Sequence, residues 1–99
     1  MAKLIHTENV LASKAKSIKK IFEHEQSNIV NIQLQAGEGI PAHDSKHPIF
    51  IIVRQGGVKF ICTDKEYVLH NDDILFMEAA EMHSVEAVSD TDFLVVFLK

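Results

Sequence analysis

Short apolar and alternating segments follow one another along most of the chain. Apolar residues alternate with polar ones across residues 29–35, and this period of two is typical of a half-buried β-strand. Residues 49–53 are apolar throughout, and because the segment is short and rich in β-branched side chains it also predicts a strand. Further strands are predicted at residues 58–63, 67–69, 74–77, 85–88 and 93–98.

Turn-forming residues separate the predicted strands. Gly56 and Gly57 predict a turn across which residues 58–63 return as the hairpin partner of residues 49–53. After the first clear strand, the pattern is interrupted by Gly37, Gly39 and Pro41. Regular short strands joined by polar turns indicate an antiparallel sandwich or barrel, so the predicted fold class is all-β.

The first 28 residues are compatible with two structures. One is a helix capped by Thr7 or Asn9, because apolar residues recur at helical spacing at Val10, Leu11, Ala15, Ile18 and Phe22. The other is a strand at residues 18–24 that pairs with residues 29–35 across a turn at residues 25–28. We favour the strand, because the rest of the chain is predicted to be sheet.

Two predicted strands are apolar on both faces, at residues 49–53 and 93–98. One face of an antiparallel sheet usually meets water, which gives an alternating pattern. Both faces of these strands must therefore be covered, either by residues 1–28 or by a second copy of the chain. We favour a homodimer through an outer sheet face, with internal coverage as the alternative.

Length and composition narrow the classes of protein to consider. The 99 residues suit one domain, with residues 29–98 as the barrel and residues 1–28 as an N-terminal extension. A net charge of −4 argues against general nucleic-acid binding. No apolar run is long enough for a signal peptide or a membrane span, so we expect a cytoplasmic protein without a membrane partner. The single cysteine, Cys62, is predicted to be a buried thiol.

Two of the six histidines stand where a predicted strand meets a turn. His43 precedes the apolar strand, and His83 follows the strand at residues 74–77 and a turn of small residues. They are 40 positions apart, so only the fold could bring them together. Imidazole is the commonest metal ligand and titrates near neutral pH, so these residues are the candidate site. The sequence contains no GxSxG, CxxC, HExxH or phosphate-binding loop motif, and it therefore predicts no catalytic residue.

The spacing of these residues resembles the two motifs of the cupin family. The first motif runs Gly, five residues, His, one residue, His, three or four residues, Glu, six residues, Gly, and Gly37, His43 and Gly56 stand at three of its positions. His83 stands at the histidine of the second motif, whose other positions hold Asp72, Glu78, Ala80 and Ala87. The resemblance covers residues 29–98. It implies an antiparallel double-stranded β-helix, the jelly-roll or cupin barrel, with a small-molecule pocket.

The chain departs from the family pattern at two metal-ligand positions. Cupin metal sites usually take two histidines and a glutamate from the first motif and one histidine from the second, but here Ser45 and Ile49 replace a histidine and the glutamate. His47 is offset by two residues and would complete a three-histidine site with His43 and His83. Such a site would suit Zn, Fe, Ni or Cu. A pair of hydrogen-bonded histidines without metal is the alternative.

The sequence is compatible with three functions. The protein would be a metal-dependent enzyme acting on a small polar molecule, a metal-free module that binds a sugar or an organic acid, or an interaction domain that assembles through its apolar strands. The pocket is predicted to contain His43, Ser45, Ile49, Ile51, Phe76, Met77 and His83. We predict a small-molecule site in a cupin-type barrel and leave open whether the protein is an enzyme.

Overall fold

Nine β-strands and no helix make up the computed structural model, which describes residues 1–99. The strands are β1 (Lys16–Glu23), β2 (Ser27–Leu34), β3 (Gly39–His43), β4 (Ile49–Gln55), β5 (Val58–Cys62), β6 (Glu66–Leu69), β7 (Ile74–Met77), β8 (His83–Ala87) and β9 (Thr91–Leu98). The all-β class predicted from the alternating segments is confirmed. The chain contains no helix that could cross a membrane.

The strands form two antiparallel sheets. The first has five strands in the order β1-β2-β9-β4-β7, and the second has four in the order β3-β8-β5-β6. Buried apolar side chains come from both sheets: Ile51 and Phe93 belong to the first, and Val58 and Phe60 to the second. The hydrophobic core therefore lies between the sheets, as in a jelly-roll barrel. This is the architecture that the family resemblance implies.

The N-terminal extension contributes a strand to the first sheet. β1 pairs with β2 in antiparallel register, with Ile18 opposite Ile32, and the register shifts between Lys20 and Phe22. The strand interpretation of residues 18–24 is confirmed, and the strand begins slightly earlier, at Lys16. The helix alternative is wrong, because Ile18 and Phe22 lie in β1 opposite Ile32 and Ile29 and no helix forms before them.

The sequence pattern does not predict β3, which carries His43. β3 lies at the edge of the four-stranded sheet and pairs only with β8. An edge strand tolerates Pro41, because a proline nitrogen has no hydrogen to donate to a second neighbour. Gly39 lets β3 approach β8 closely, since a Cβ atom there would lie 2.6 Å from the carbonyl oxygen of Val85. The glycine and proline that interrupt the local pattern thus suit an edge strand.

The predicted hairpin between β4 and β5 is wrong. β4 pairs with β7 and β9, whereas β5 pairs with β6 and β8, so consecutive strands lie in different sheets. Gly56 and Gly57 form the corner where the chain crosses between the sheets. At Gly56 φ is +76°, and a Cβ atom would lie only 2.0 Å from the carbonyl oxygen of Asp90. The glycines therefore serve a tight corner between sheets.

The N-terminal extension covers a polar part of the outer face of the first sheet. Gln33 and Asp92 are opposite one another on β2 and β9, and both are buried there. Gln33 Nε2 donates to the carbonyl oxygen of Glu8 at 2.7 Å, and the amide of Val10 donates to Gln33 Oε1 at 2.8 Å. These bonds satisfy the buried amide and hold the extension against the sheet. The chain itself therefore covers this half of the outer face of the first sheet.

The other half of the same outer face is apolar. Phe50 on β4 is opposite Phe76 on β7 and Val96 on β9, so the three side chains share one face. The rings of Phe50 and Phe76 lie with their centroids 5.1 Å apart, and Phe76 is 45% exposed. We call this surface the outer patch; it comprises Phe50, Ile52, Ile74, Phe76, Leu94 and Val96. None of these six side chains is fully buried.

Candidate functional site

His43 and His83 lie side by side at one end of the barrel. They are cross-strand partners where β3 pairs with β8, which brings together two residues far apart in the chain. Their ring centroids are 4.3 Å apart and their planes are inclined by 61°, an edge-to-face contact. His83 is buried, at 4% exposure, whereas His43 is open to solvent. The fold therefore forms a histidine pair with one ring inside and one at the surface.

The two rings are held by the same kind of hydrogen bond. The Nδ1 atom of His43 lies 2.9 Å from the carbonyl oxygen of Pro41, and that of His83 lies 2.9 Å from the carbonyl oxygen of Glu81. A carbonyl oxygen only accepts, so each Nδ1 carries a hydrogen and donates it. In a neutral imidazole the other nitrogen, Nε2, then keeps its lone pair. Each ring thus offers one acceptor to a ligand.

Burial controls the charge of the inner histidine. Loss of hydration lowers the pKa of His83 below its usual value, because the protonated ring is poorly solvated inside the barrel. The hydrogen bond to the Glu81 carbonyl opposes this shift, and the neighbouring His43 adds to it. The net direction is downward, so His83 is neutral at pH 7 and its Nε2 is an acceptor.

The histidine pair borders a cavity of about 280 Å³ between the sheets. Eleven of its fifteen lining residues are hydrophobic, and its walls include Ile51, Phe60 and Phe93, which are almost completely buried. The four polar lining residues are His43, Asp44, Ser45 and His83, from β3, the segment after it and the start of β8. His43 and Asp44 are exposed, so the polar end is open to solvent, and the apolar lining residue Ile18 is exposed as well. The cavity thus has an apolar interior and a polar entrance.

The residues predicted for the pocket divide into two groups. His43, Ser45, Ile49, Ile51 and His83 line the cavity.

The cavity is not lined by the predicted pocket residues Phe76 and Met77, nor by His47, which was predicted as a metal ligand. Phe76 belongs to the outer patch, because it pairs with Phe50 on the outer face of the first sheet. Met77 is part of the core, with its sulfur 3.7 Å from the sulfur of Cys62. His47 lies in the segment between β3 and β4, where its backbone amide donates to Ser45 Oγ at 3.1 Å.

Several lining residues have no distinctive signal in the sequence. Phe60, Val85, Phe93 and Val95 form much of the wall, and they lie on the inward faces of β5, β8 and β9. Alternation along each strand reveals two faces but not which of them borders a cavity. Asp44 also lines the entrance, although its sequence position is typical of a solvated loop.

The side chains at this site do not fit the usual donor set for a transition metal. Protein sites for zinc and similar ions take three or four side-chain ligands. No group of three or more histidine, cysteine, aspartate or glutamate side chains in the chain could hold a metal ion. His47 does not join His43 and His83, and the two other family ligand positions hold Ser45 and Ile49. The predicted three-histidine site is therefore not assembled.

An antiparallel jelly-roll barrel with histidines at its cavity entrance is the arrangement of a cupin-type protein. The family model for the cupin domain matches residues 30–99, which is more than half of the chain. This chain belongs to the cupin family, and the resemblance stated from its two motifs is confirmed. No curated protein matches the chain in sequence.

Solved structures with low sequence identity share this fold. An RmlC-like cupin family protein with a double-stranded β-helix fold from Methanocaldococcus jannaschii is 20% identical, with a TM-score of 0.84 over 99% of this chain and 91% of that one. An RmlC-like cupin from Desulfovibrio desulfuricans is 22% identical, with a TM-score of 0.78 over 96% and 97%. A conserved protein of unknown function from Streptococcus pyogenes is 16% identical, with a TM-score of 0.80 over 99% and 90%. At these identities the likeness concerns the fold alone.

Proposed function

We propose that this protein binds a small organic molecule in the cavity between its sheets, with His43 and His83 as polar anchors. The observation that carries the proposal is the histidine pair at the polar end of a mostly apolar cavity. A mostly apolar pocket with a few convergent polar groups is the usual form of a small-molecule site. The cavity volume of about 280 Å³ is close to the lower end for such sites, so the ligand is small.

The two histidine side chains at this site support binding of the organic molecule without a transition metal. Two imidazoles supply fewer ligands than the three that an open catalytic site takes. Elemental analysis of the purified protein tests this choice. Retention of one Zn, Fe, Ni or Cu per chain that is lost in a His43→Ala variant would contradict it and favour the metal-dependent alternative.

Cavity filling tests the ligand site directly. Val85 lines the cavity, and Val85→Phe should fill part of it and abolish binding, whereas Val68→Phe in the same sheet lies at a 51% exposed position outside it. The measurement is the chemical-shift response of each folded protein to a library of neutral, acidic, basic and sugar-like compounds. Binding to the wild type and the Val68 variant but not the Val85 variant is expected. If no compound binds, or if the Val85 variant binds equally well, the proposal fails.

We also propose that two copies associate through the outer patch. The patch contains no charged side chain, so a stable partner surface must also be apolar. The other exposed large apolar residues of the chain are Met1, Leu4, Ile18, Val68, Met82, Val88 and Leu98. Most of these residues lie on other elements, away from the outer patch. The apolar surface that best matches the outer patch is therefore the same patch of a second copy. A twofold dimer places one patch against its copy, as is usual for homodimers.

A further inference from the structure

The charge of the lining residues restricts the chemical class of the ligand more than the volume of the cavity does. No lysine or arginine is among the lining residues, and the one lining carboxylate is Asp44 at the entrance. A carboxylate or phosphate on the ligand would meet no cation and would lie near this like charge. Burying an anion without a counter-charge is costly. An organic acid therefore fits this cavity poorly.

Hydrogen bonding at the entrance favours a hydroxyl group. Both histidines use Nδ1–H on backbone carbonyls, so the Nε2 atom of each neutral ring is an acceptor that a ligand donor would complement. Ser45 Oγ accepts from the backbone amide of His47, and its own hydrogen is free to donate. A ligand hydroxyl both donates and accepts, so it complements these groups without carrying charge.

The interior of the cavity excludes a polar ligand body. Ile51, Phe60 and Phe93 present no hydrogen-bonding side chain, and their exposure is 1% or less. A sugar would leave several hydroxyl groups unsatisfied against these walls, and each such group costs free energy. A dry apolar cavity of about 150 Å³ is large enough for a benzene ring. The cavity here has room for one ring and a short substituent.

We propose that the ligand is a small uncharged alcohol or phenol, whose apolar body enters the barrel and whose hydroxyl binds at His43 and His83. This inference rests on the proposed function, because it names the ligand class of the same cavity. It differs from the sugar or organic acid named in one of the three functions that the sequence leaves open. The ligand hydroxyl donates its single hydrogen to one of the two Nε2 acceptors and accepts from Ser45 Oγ, and the neutral ligand leaves no buried charge unpaired.

Four single-ring probes with different head groups test the ligand class: benzyl alcohol, benzoate, benzylamine and toluene. Dissociation constants are measured at one pH and one ionic strength by titration of the methyl resonances of the full chain. Benzyl alcohol should bind at least tenfold more tightly than benzoate. It should exceed toluene by about two- to tenfold, which is the contribution of one net hydrogen bond.

A His43→Phe variant separates the hydrogen bond from the shape of the site. It keeps an aromatic ring at an exposed position, so the chain should fold, but it removes one acceptor. The preference for benzyl alcohol over toluene should decrease in this variant, while toluene affinity stays within about twofold. A Lys46→Ala variant, at an exposed position outside the lining, is the control and should behave as the wild type.

The outcomes distinguish this inference from the proposed function. Tighter binding of benzoate or benzylamine than of benzyl alcohol would overturn the inferred ligand class and leave the pocket as a binding site. An unchanged alcohol preference in the His43 variant would likewise overturn the assigned role of the histidine pair. If none of the four probes binds and the compound library also gives no binding, the proposed function itself fails.

Discussion

Arg54 donates two hydrogen bonds to Asp92, with its Nε and Nη2 atoms each 2.9 Å from a carboxylate oxygen. Asp92 is almost completely buried, and it also accepts hydrogen bonds from Asn31 and Gln33. Gln33 in turn holds the N-terminal extension. The Arg54 guanidinium therefore balances the charge of the buried Asp92 carboxylate on the polar half of the outer sheet face.

Removal of Arg54 should destabilise the protein, because it leaves a buried carboxylate without its cation. Arg54→Ala should cost about 2 kcal/mol, less than for a fully buried pair because the arginine side chain is 36% exposed. Urea denaturation measures the free energy of unfolding. Lys20→Ala, which removes an exposed ion pair with Glu23, should have no measurable effect.

A double variant checks the cause of this loss. Asp92→Asn removes the buried charge, so Arg54→Ala combined with Asp92→Asn should be less destabilised than the sum of the two single variants. Strict additivity would show that the loss comes from packing of the arginine side chain and not from the unpaired carboxylate.

The corner at Gly56 should tolerate no side chain. Gly56→Ala places a methyl group against the Asp90 carbonyl in a left-handed backbone conformation, and we expect a loss of at least about 3 kcal/mol. Gly37 also has positive φ, at +85°, but a Cβ atom there would have no neighbouring atom within 4 Å, so Gly37→Ala should cost only about 1–2 kcal/mol. Thermal and urea unfolding compare the two variants, and equal losses would contradict the steric explanation.

The same glycines show why strand positions were easier to predict than strand partners. The short apolar run at residues 74–77 predicts β7 with the observed bounds, because such a run after turn residues is a local property of the sequence. Gly56 and Gly57 specify a tight bend, but they do not specify whether the chain returns in the same sheet. That choice depends on β4 pairing with β9, for example Val53 with Phe93, which are distant in sequence.

The candidate site was predictable to a similar extent. Motif spacing identifies His43 and His83 because each has a recognisable residue type at a recognisable position. The walls are less accessible to sequence reasoning, since both faces of β4 are apolar and only the packing of the sheets decides which face is interior. Ile51 lines the cavity, whereas Phe76, predicted beside it, lies on the outer patch.

Charge placed on the outer patch should prevent dimer formation. Phe76→Lys introduces an ammonium group on the edge strand β7 within the proposed interface, and its burial against a second copy would be unfavourable. Sedimentation of the wild type should show a dimer and that of the variant a folded monomer. Val68→Lys, at an exposed apolar position of the other sheet, should remain dimeric. A wild type that stays monomeric at high concentration would contradict the proposed interface.

Acid should destabilise the protein through His83. Because burial lowers the pKa of His83 in the folded chain, the unfolded chain binds a proton more readily, and stability decreases as the pH falls below the ordinary value of 6.5. The groups that act on this ring are the Glu81 carbonyl, His43, and the Glu81 and Asp44 carboxylates; the last two favour the protonated ring but do not reverse the shift. Free energies of unfolding between pH 5.5 and 7.5 measure the effect.

A His83→Gln variant should lose most of this pH dependence, because its side chain does not titrate in that range. His70→Gln, at an exposed position outside the cavity lining, should keep the pH dependence of the wild type. A rise in wild-type stability on acidification would show that the nearby carboxylates outweigh burial at His83. If His83→Gln and the wild type instead lose stability in parallel, other groups cause the decrease and the inner histidine is not the acid-sensitive one.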